Sequence, residues 1–124
     1  MAVLAEMRDN AQRAIAYATR GGDNWHQDEL VVDAVANRVR QVTELAKYAF
    51  PEDEKADFPQ IPWDKIARVR DFYTHHYSRL NPERLRRTVE VSLRELLEEL
   101  DRLGIPDFLD EAPEKPDRGS GVSS

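Results

Sequence analysis

Between Leu85 and Leu103 the chain sets Leu85, Val89, Leu93, Leu96, Leu97, Leu100 and Leu103 mostly three or four residues apart, and Gly104 and Pro106 then stop the run. That spacing gathers the apolar side chains on one stripe of an α-helix and would scatter them over both faces of a strand. Such a helix is stable only with its stripe buried, so the chain is committed to packing helix against helix. The rest of the sequence supplies the partners. Val3, Met7, Ala11, Ala14, Ile15 and Ala18 recur at helical spacing over residues 2–20, and Gly21-Gly22 ends that helix. Asp23 or Asn24 is expected to cap a second helix, whose stripe of Leu30, Val31, Ala34, Val35, Val42, Leu45, Ala46 and Ala49 runs to Phe50-Pro51. The charged, proline-broken "PEDEKADFPQIP" reads as a connection. A third helix is expected from about Pro62, with Ile66, Ala67, Val69 and Phe72 on a narrower face and Trp63 plugging its start. Asn81-Pro82-Glu83 then gives a cap followed by proline in the first turn of the last helix. No segment alternates as a half-buried strand would, and no internal repeat is visible.

The expected fold is therefore all-α, an antiparallel bundle of four helices and at most five. A chain of 124 residues suits one domain. Its boundaries are expected at residues 1–105, followed by a disordered acidic tail rich in Pro, Gly and Ser over 106–124, "PDFLDEAPEKPDRGSGVSS".

Charge locates the unusual segment. The net charge is −6, but residues 1–62 carry 7 basic and 11 acidic side chains, residues 63–88 carry 7 and 3, and residues 89–124 carry 4 and 10. The one basic segment contains "RVRDFYTHHYSRLNPERL", and with it His75 and His76, two of the three histidines in the chain. The absence of cysteine leaves no disulfide framework or thiolate metal site. Glu6, Arg8 and Asp9 interrupt any signal-peptide core, and no stretch approaches a membrane span, so a soluble cytoplasmic protein without membrane contact is expected.

Arg70, His75 and Tyr77 lie within eight residues on the third helix. At about 100° per residue, Arg70 and Tyr77 fall within about 20° of each other, whereas His75 is rotated from Arg70 by about 140°. Arg70 and His75 cannot share a face of an ideal helix. Either the helix distorts before Asn81, or the site is composite, formed with a second copy of the chain across a twofold axis. A neutral imidazole can take a proton from a hydroxyl, and a guanidinium fork can hold a phosphate and stabilise charge growing on it. Those are two parts of a ribonuclease, because RNA carries its own nucleophile in the 2'-hydroxyl. No His, Asp and Glu spacing suggests metal ligands, no glycine-rich phosphate loop is present, and neither metal nor cofactor is expected. The ordinary alternatives are structural: Asp71 as a solvated acid, Tyr73 as packing, Glu44 and His26 as surface residues, and Arg79, Arg84, Arg86 and Arg87 as a solvated helix face rather than phosphate contacts.

Over residues 1–103 the layout resembles the HepT-like branch of the HEPN superfamily, the toxin half of HepT–MntA toxin–antitoxin pairs. Besides the motif at Arg70, His75 and Tyr77, "DELVVDAVANRVRQVTELAK" is similar to that family's "D…AV.R…GEA.K" pattern, and "PQIPWDKIARVRD" to its "P.IPW..I...RN" approach. Thr43 stands where the family often has glycine, and Asp71 where it often has asparagine. The resemblance implies an all-α homodimer with the motif helices at the interface. It also implies metal-independent RNA cleavage that leaves a 2',3'-cyclic phosphate and a 5'-hydroxyl. On that reading His75 is the general base or acid, Arg70 binds the scissile phosphate, Asp71 and His76 support them, and Arg68 and Arg79 contact RNA. Which of the two histidines acts is open. Tyr77 is implied to be the residue that a partner MntA-like nucleotidyltransferase silences by transferring AMP from ATP. The alternative is a catalytically silent helical bundle that serves only as binding partner of a nucleotidyltransferase.

Overall fold

Helix α1 (Ala2–Gly21) turns Leu4, Met7, Ala11, Ala14 and Ala18 inward, a face of small residues that lets a second helix lie close. In the computed structural model, which describes residues 2–75 and 81–105 and residues 72–75 by their backbone alone, that second helix is α2 (Glu29–Glu44). Gly21 lies against Val31, and Asn10 against Arg38, the register of an antiparallel pair. The turn between them leaves no room for a side chain at Gly21: a Cβ there would come within 2.7 Å of the Trp25 Cβ and 3.1 Å of Val31.

The start of α2 differs from expectation. Asn24 makes no side-chain cap; it leads into a 3-10 turn, Trp25–Gln27, whose Trp25 and His26 are both buried. The cap is Asp28, whose extended backbone lets its Oδ1 accept from the N–H of Leu30 at 3.1 Å and of Val31 at 3.5 Å. Burying Trp25 takes up the residues that would otherwise have begun the helix. The inward stripe is rotated from the expected one, with Val35, Val42 and Ala46 buried as expected. Val32, Val35, Ala36, Val39, Val42 and Ala46 are buried, while Leu30 is 81% exposed and Ala34 and Ala49 lie outside.

Helix α2 runs on into a π turn, Leu45–Ala49, closed by the N–H of Phe50 donating to the carbonyl of Leu45 at 3.0 Å. The connection that follows holds a 3-10 helix, Glu52–Asp57, where none was expected. Trp63 organises it: the indole stacks on Phe50 with ring centroids 4.9 Å apart, and its N–H reaches the carbonyls of Phe58 at 3.1 Å and Lys55 at 3.2 Å. Trp63 thus fixes where α3 (Trp63–His75) begins. On α3, Ile66 is buried and Val69 half-buried, but Ala67 is exposed, so the apolar face is narrower still than the sequence suggests.

The last helix starts as expected. Asn81 caps α4 (Pro82–Arg87) by accepting from the N–H of Glu83 at 2.9 Å, with Pro82 in the first turn. Its right-handed helical backbone continues unbroken through a second π turn, Thr88–Ser92, into α5 (Leu93–Arg102). The π turn explains the leucine spacing. Ideal α geometry would set Leu85 and Leu93 about 80° apart, and a turn closed five residues back absorbs one extra residue, about 100°, bringing both inward. Leu85, Val89, Leu93, Leu96 and Leu100 are all buried. The two buried threonines beside these turns bond back along their own helices, Thr43 to the carbonyl of Arg40 at 2.8 Å and Thr88 to that of Arg84 at 3.1 Å. At the far end Arg8 ties α1 to α5 by reaching Asp101 and the carbonyl of Ile105. The architecture is an all-α bundle, with no strand among the described residues.

Candidate active site

The helix α3 that Trp63 anchors presents Arg70 towards the end of α2. Its Nη2 lies 2.5 Å from the hydroxyl of Tyr48, which the π turn at Leu45–Ala49 carries, and its Nη1 lies 3.2 Å from Oδ1 of Asp71. The side chain is only 15% exposed, and Nε is enclosed without a partner. The guanidinium is therefore held at two corners by neighbours, and each terminal nitrogen keeps a second N–H for another acceptor. Lys47 and Lys55 line the small hollow that Arg70 helps to form. Cationic residues from the acidic first half of the chain thus come beside the basic segment.

Of the residues anticipated from the sequence, Arg70 and Asp71 are brought together, with Asp71 accepting from the guanidinium rather than standing alone in solvent. Arg68 is exposed and about 160° around the helix from Arg70, so it does not join it. The backbone is α-helical through His75, which removes a distortion between Arg70 and His75 as a means of bringing them onto one face; the rotation of about 140° stands. His76, Tyr77 and Arg79 lie outside the described residues, as does the tail expected over 106–124.

Two residues were missed. Tyr48 is 22 positions from Arg70 in sequence and carries no motif of its own. His26, expected at the surface, is 6% exposed; its Nε2 lies 3.1 Å from the Glu83 carboxylate in the first turn of α4, and its buried Nδ1 has no partner. That contact ties the α1–α2 corner to the helix that resumes after the motif segment. The only sign of it in the sequence is the neighbouring Trp25, whose ring meets the imidazole edge to face at 6.1 Å.

Elsewhere, hydrogen bonding from Arg13 and then Arg38 holds the Tyr17 phenol below its usual range. Among the described residues no three His, Asp or Glu side chains gather with the geometry of a metal site, and no helix is long and apolar enough to cross a membrane.

The described residues define an all-α helical bundle in which Arg70 is fixed on the helix that carries His75 five positions on. The comparisons narrow it. The family described as "Ribonuclease HepT-like" matches residues 7–103, and the chain belongs to that family, whose setting is the HEPN-type toxins. A protein of Methanocaldococcus jannaschii named "Putative RNase MJ0127" is 36% identical over 61 residues, 49% of this chain and 50% of that protein. The chain thus spans about half the length of the curated relative it matches. No solved structure matches it significantly.

Proposed function

We propose that the chain is the toxin of a toxin–antitoxin pair, a metal-independent endoribonuclease whose site is completed by a second copy of the chain. The observation that carries this reading is the family match, which spans the whole motif from Arg70 to Tyr77. The geometry supports it: a guanidinium pinned by Asp71 and Tyr48 is preorganised to accept a phosphate, so little ordering remains to be done when substrate binds. With the backbone helical through His75, position 75 lies about 140° around the helix from Arg70, so Arg70 of one protomer would work with His75 of the partner subunit. In the reaction His75 takes the proton of the RNA 2'-hydroxyl, whose oxygen attacks the adjacent phosphorus. The bond to the 5'-oxygen breaks, that oxygen takes a proton from water while the protonated His75 returns its own to solvent, and a 2',3'-cyclic phosphate remains. Arg70 neutralises the charge that grows on the non-bridging oxygens.

Regulation follows from the same segment. An MntA-like nucleotidyltransferase antitoxin would transfer AMP from ATP to Tyr77. Its bulk and negative phosphate, within about 20° of Arg70 around an ideal helix, would occupy the place of RNA and neutralise the clamp. Expression without the antitoxin is expected to arrest growth, and co-expression to restore it with an AMP adduct on Tyr77. Purified protein shown by mass spectrometry to carry no adduct should cut total RNA, and His75→Ala and Arg70→Ala should not. Intact RNA with the unmodified wild-type protein would sink the reading and favour a silent partner of the nucleotidyltransferase.

A further inference from the structure

Tyr48 is a large aromatic residue left 66% exposed, yet its hydroxyl is fixed 2.5 Å from Nη2 of Arg70. The guanidinium carbon lies 5.0 Å from the ring centroid. The guanidinium thus lies over one side of the ring as a cation–π contact as well as meeting its hydroxyl. The ring is thus immobilised without being buried, next to the group that the proposed reaction uses to hold phosphate. The π turn Leu45–Ala49 produces this arrangement by rephasing the end of α2, and Lys47 on the same turn lines the adjoining hollow with Lys55. An exposed aromatic of this kind offers a face to any nucleobase, and single-stranded RNA is commonly held by base stacking beside a cationic backbone contact.

We infer that Tyr48 is a substrate-contacting residue of this site, the stacking platform for the base flanking the phosphate held by Arg70, and that its hydroxyl also orients the Arg70 fork. The inference rests on the ribonuclease reading above and adds the strand conformation the site takes: a single-stranded segment with one base turned onto the protein. Lys47 would lie along the backbone of the neighbouring nucleotide, while Lys55 stays paired with Glu52 at 2.8 Å. Double-stranded RNA, whose bases are stacked on one another, presents no face to Tyr48 and should be a poor substrate.

The test uses the full chain and an RNA oligonucleotide spanning a mapped cleavage site. Tyr48→Ala should raise KM roughly tenfold, whereas Tyr48→Trp and Tyr48→Phe should keep KM within about twofold; Phe should lower kcat through loss of the hydroxyl. An abasic nucleotide at the flanking position should raise the wild-type KM by a similar factor and have no further effect on Tyr48→Ala, a non-additivity that a structural role would not produce. Should the alanine variant misfold, Tyr48→Gln, which keeps bulk and a polar end but no stacking face, carries the same test with the abasic substrate. Cleavage that needs His75 but shows an unchanged KM in Tyr48→Ala would overturn this inference and leave the ribonuclease reading intact, as would a Tyr48→Phe KM as poor as that of alanine. If wild-type protein neither binds nor cleaves the RNA, both fall.

Discussion

Arg70 is held by two contacts of different kinds, and its enclosed Nε leaves the terminal nitrogens as the edge that the proposed reaction would use. A lysine at this position would bring a point charge without the fork and could not satisfy Asp71, Tyr48 and a phosphate together. Arg70→Lys is therefore expected to lose about 10²-fold in kcat, close to the loss in Arg70→Ala, as single-turnover cleavage would report. Lysine retaining nearly full rate would mean that charge alone is needed. Away from the site, the Tyr17 phenol should ionise below its usual value because Arg13 and then Arg38 favour the phenolate. The linkage sign follows: with the folded value depressed, the folded state gains stability as pH rises towards the ordinary phenol value of 10.0, and loses that gain as pH falls through the depressed one. A near-ultraviolet absorbance titration should show a tyrosine step below the ordinary phenol value that vanishes in Tyr17→Phe. The Arg70–Asp71 contact was legible because the two residues are neighbours in sequence. Tyr48 was not, because its approach depends on a π turn that leaves no mark in composition or spacing.

Among the elements, what the sequence made plain was the number and identity of helices, and what it left open was their phase. Helical periodicity is robust to a missing turn, so α1, α2, α3 and the last helix were all visible. The inward face of α2 was not: Leu30 and Val32 are both apolar and only two positions apart, and which of them is buried is set by how α2 packs on its neighbours. Asp28→Ala should cost about 1 kcal/mol in denaturant unfolding by freeing the first amides of α2. Gly21→Ala sets two terms against each other. Alanine gains up to about 1 kcal/mol of helix propensity, but its methyl group would lie 2.7 Å from the Trp25 Cβ, a backbone-proximal atom that cannot swing aside. Overpacking typically costs about 1–3 kcal/mol, so a net loss is expected, and a stabilised Gly21→Ala protein would show that the corner yields.

At the scale of the molecule, one bundle supports the motif from two directions. Trp63 and Phe50 fix the start of α3, and the His26–Glu83 contact fixes the start of α4. The helical fold could be read from the sequence; a site shared between two copies could only be inferred from the rotation between Arg70 and His75. A shared site makes a quantitative prediction. Inactive Arg70→Ala and His75→Ala proteins, mixed and allowed to exchange subunits, should regain about a quarter of wild-type cleavage, since half the dimers are mixed and each has one intact site. No recovery despite demonstrated exchange would place both residues in a single protomer's site. The central claim is the chemistry itself. The most direct measurement is the chemical nature of the ends left on a defined tRNA digested in EDTA by unmodified wild-type protein beside His75→Ala. The account predicts 2',3'-cyclic phosphate and 5'-hydroxyl ends from the wild type and intact RNA from the variant; 5'-phosphate ends, or cleavage abolished by EDTA, would contradict it.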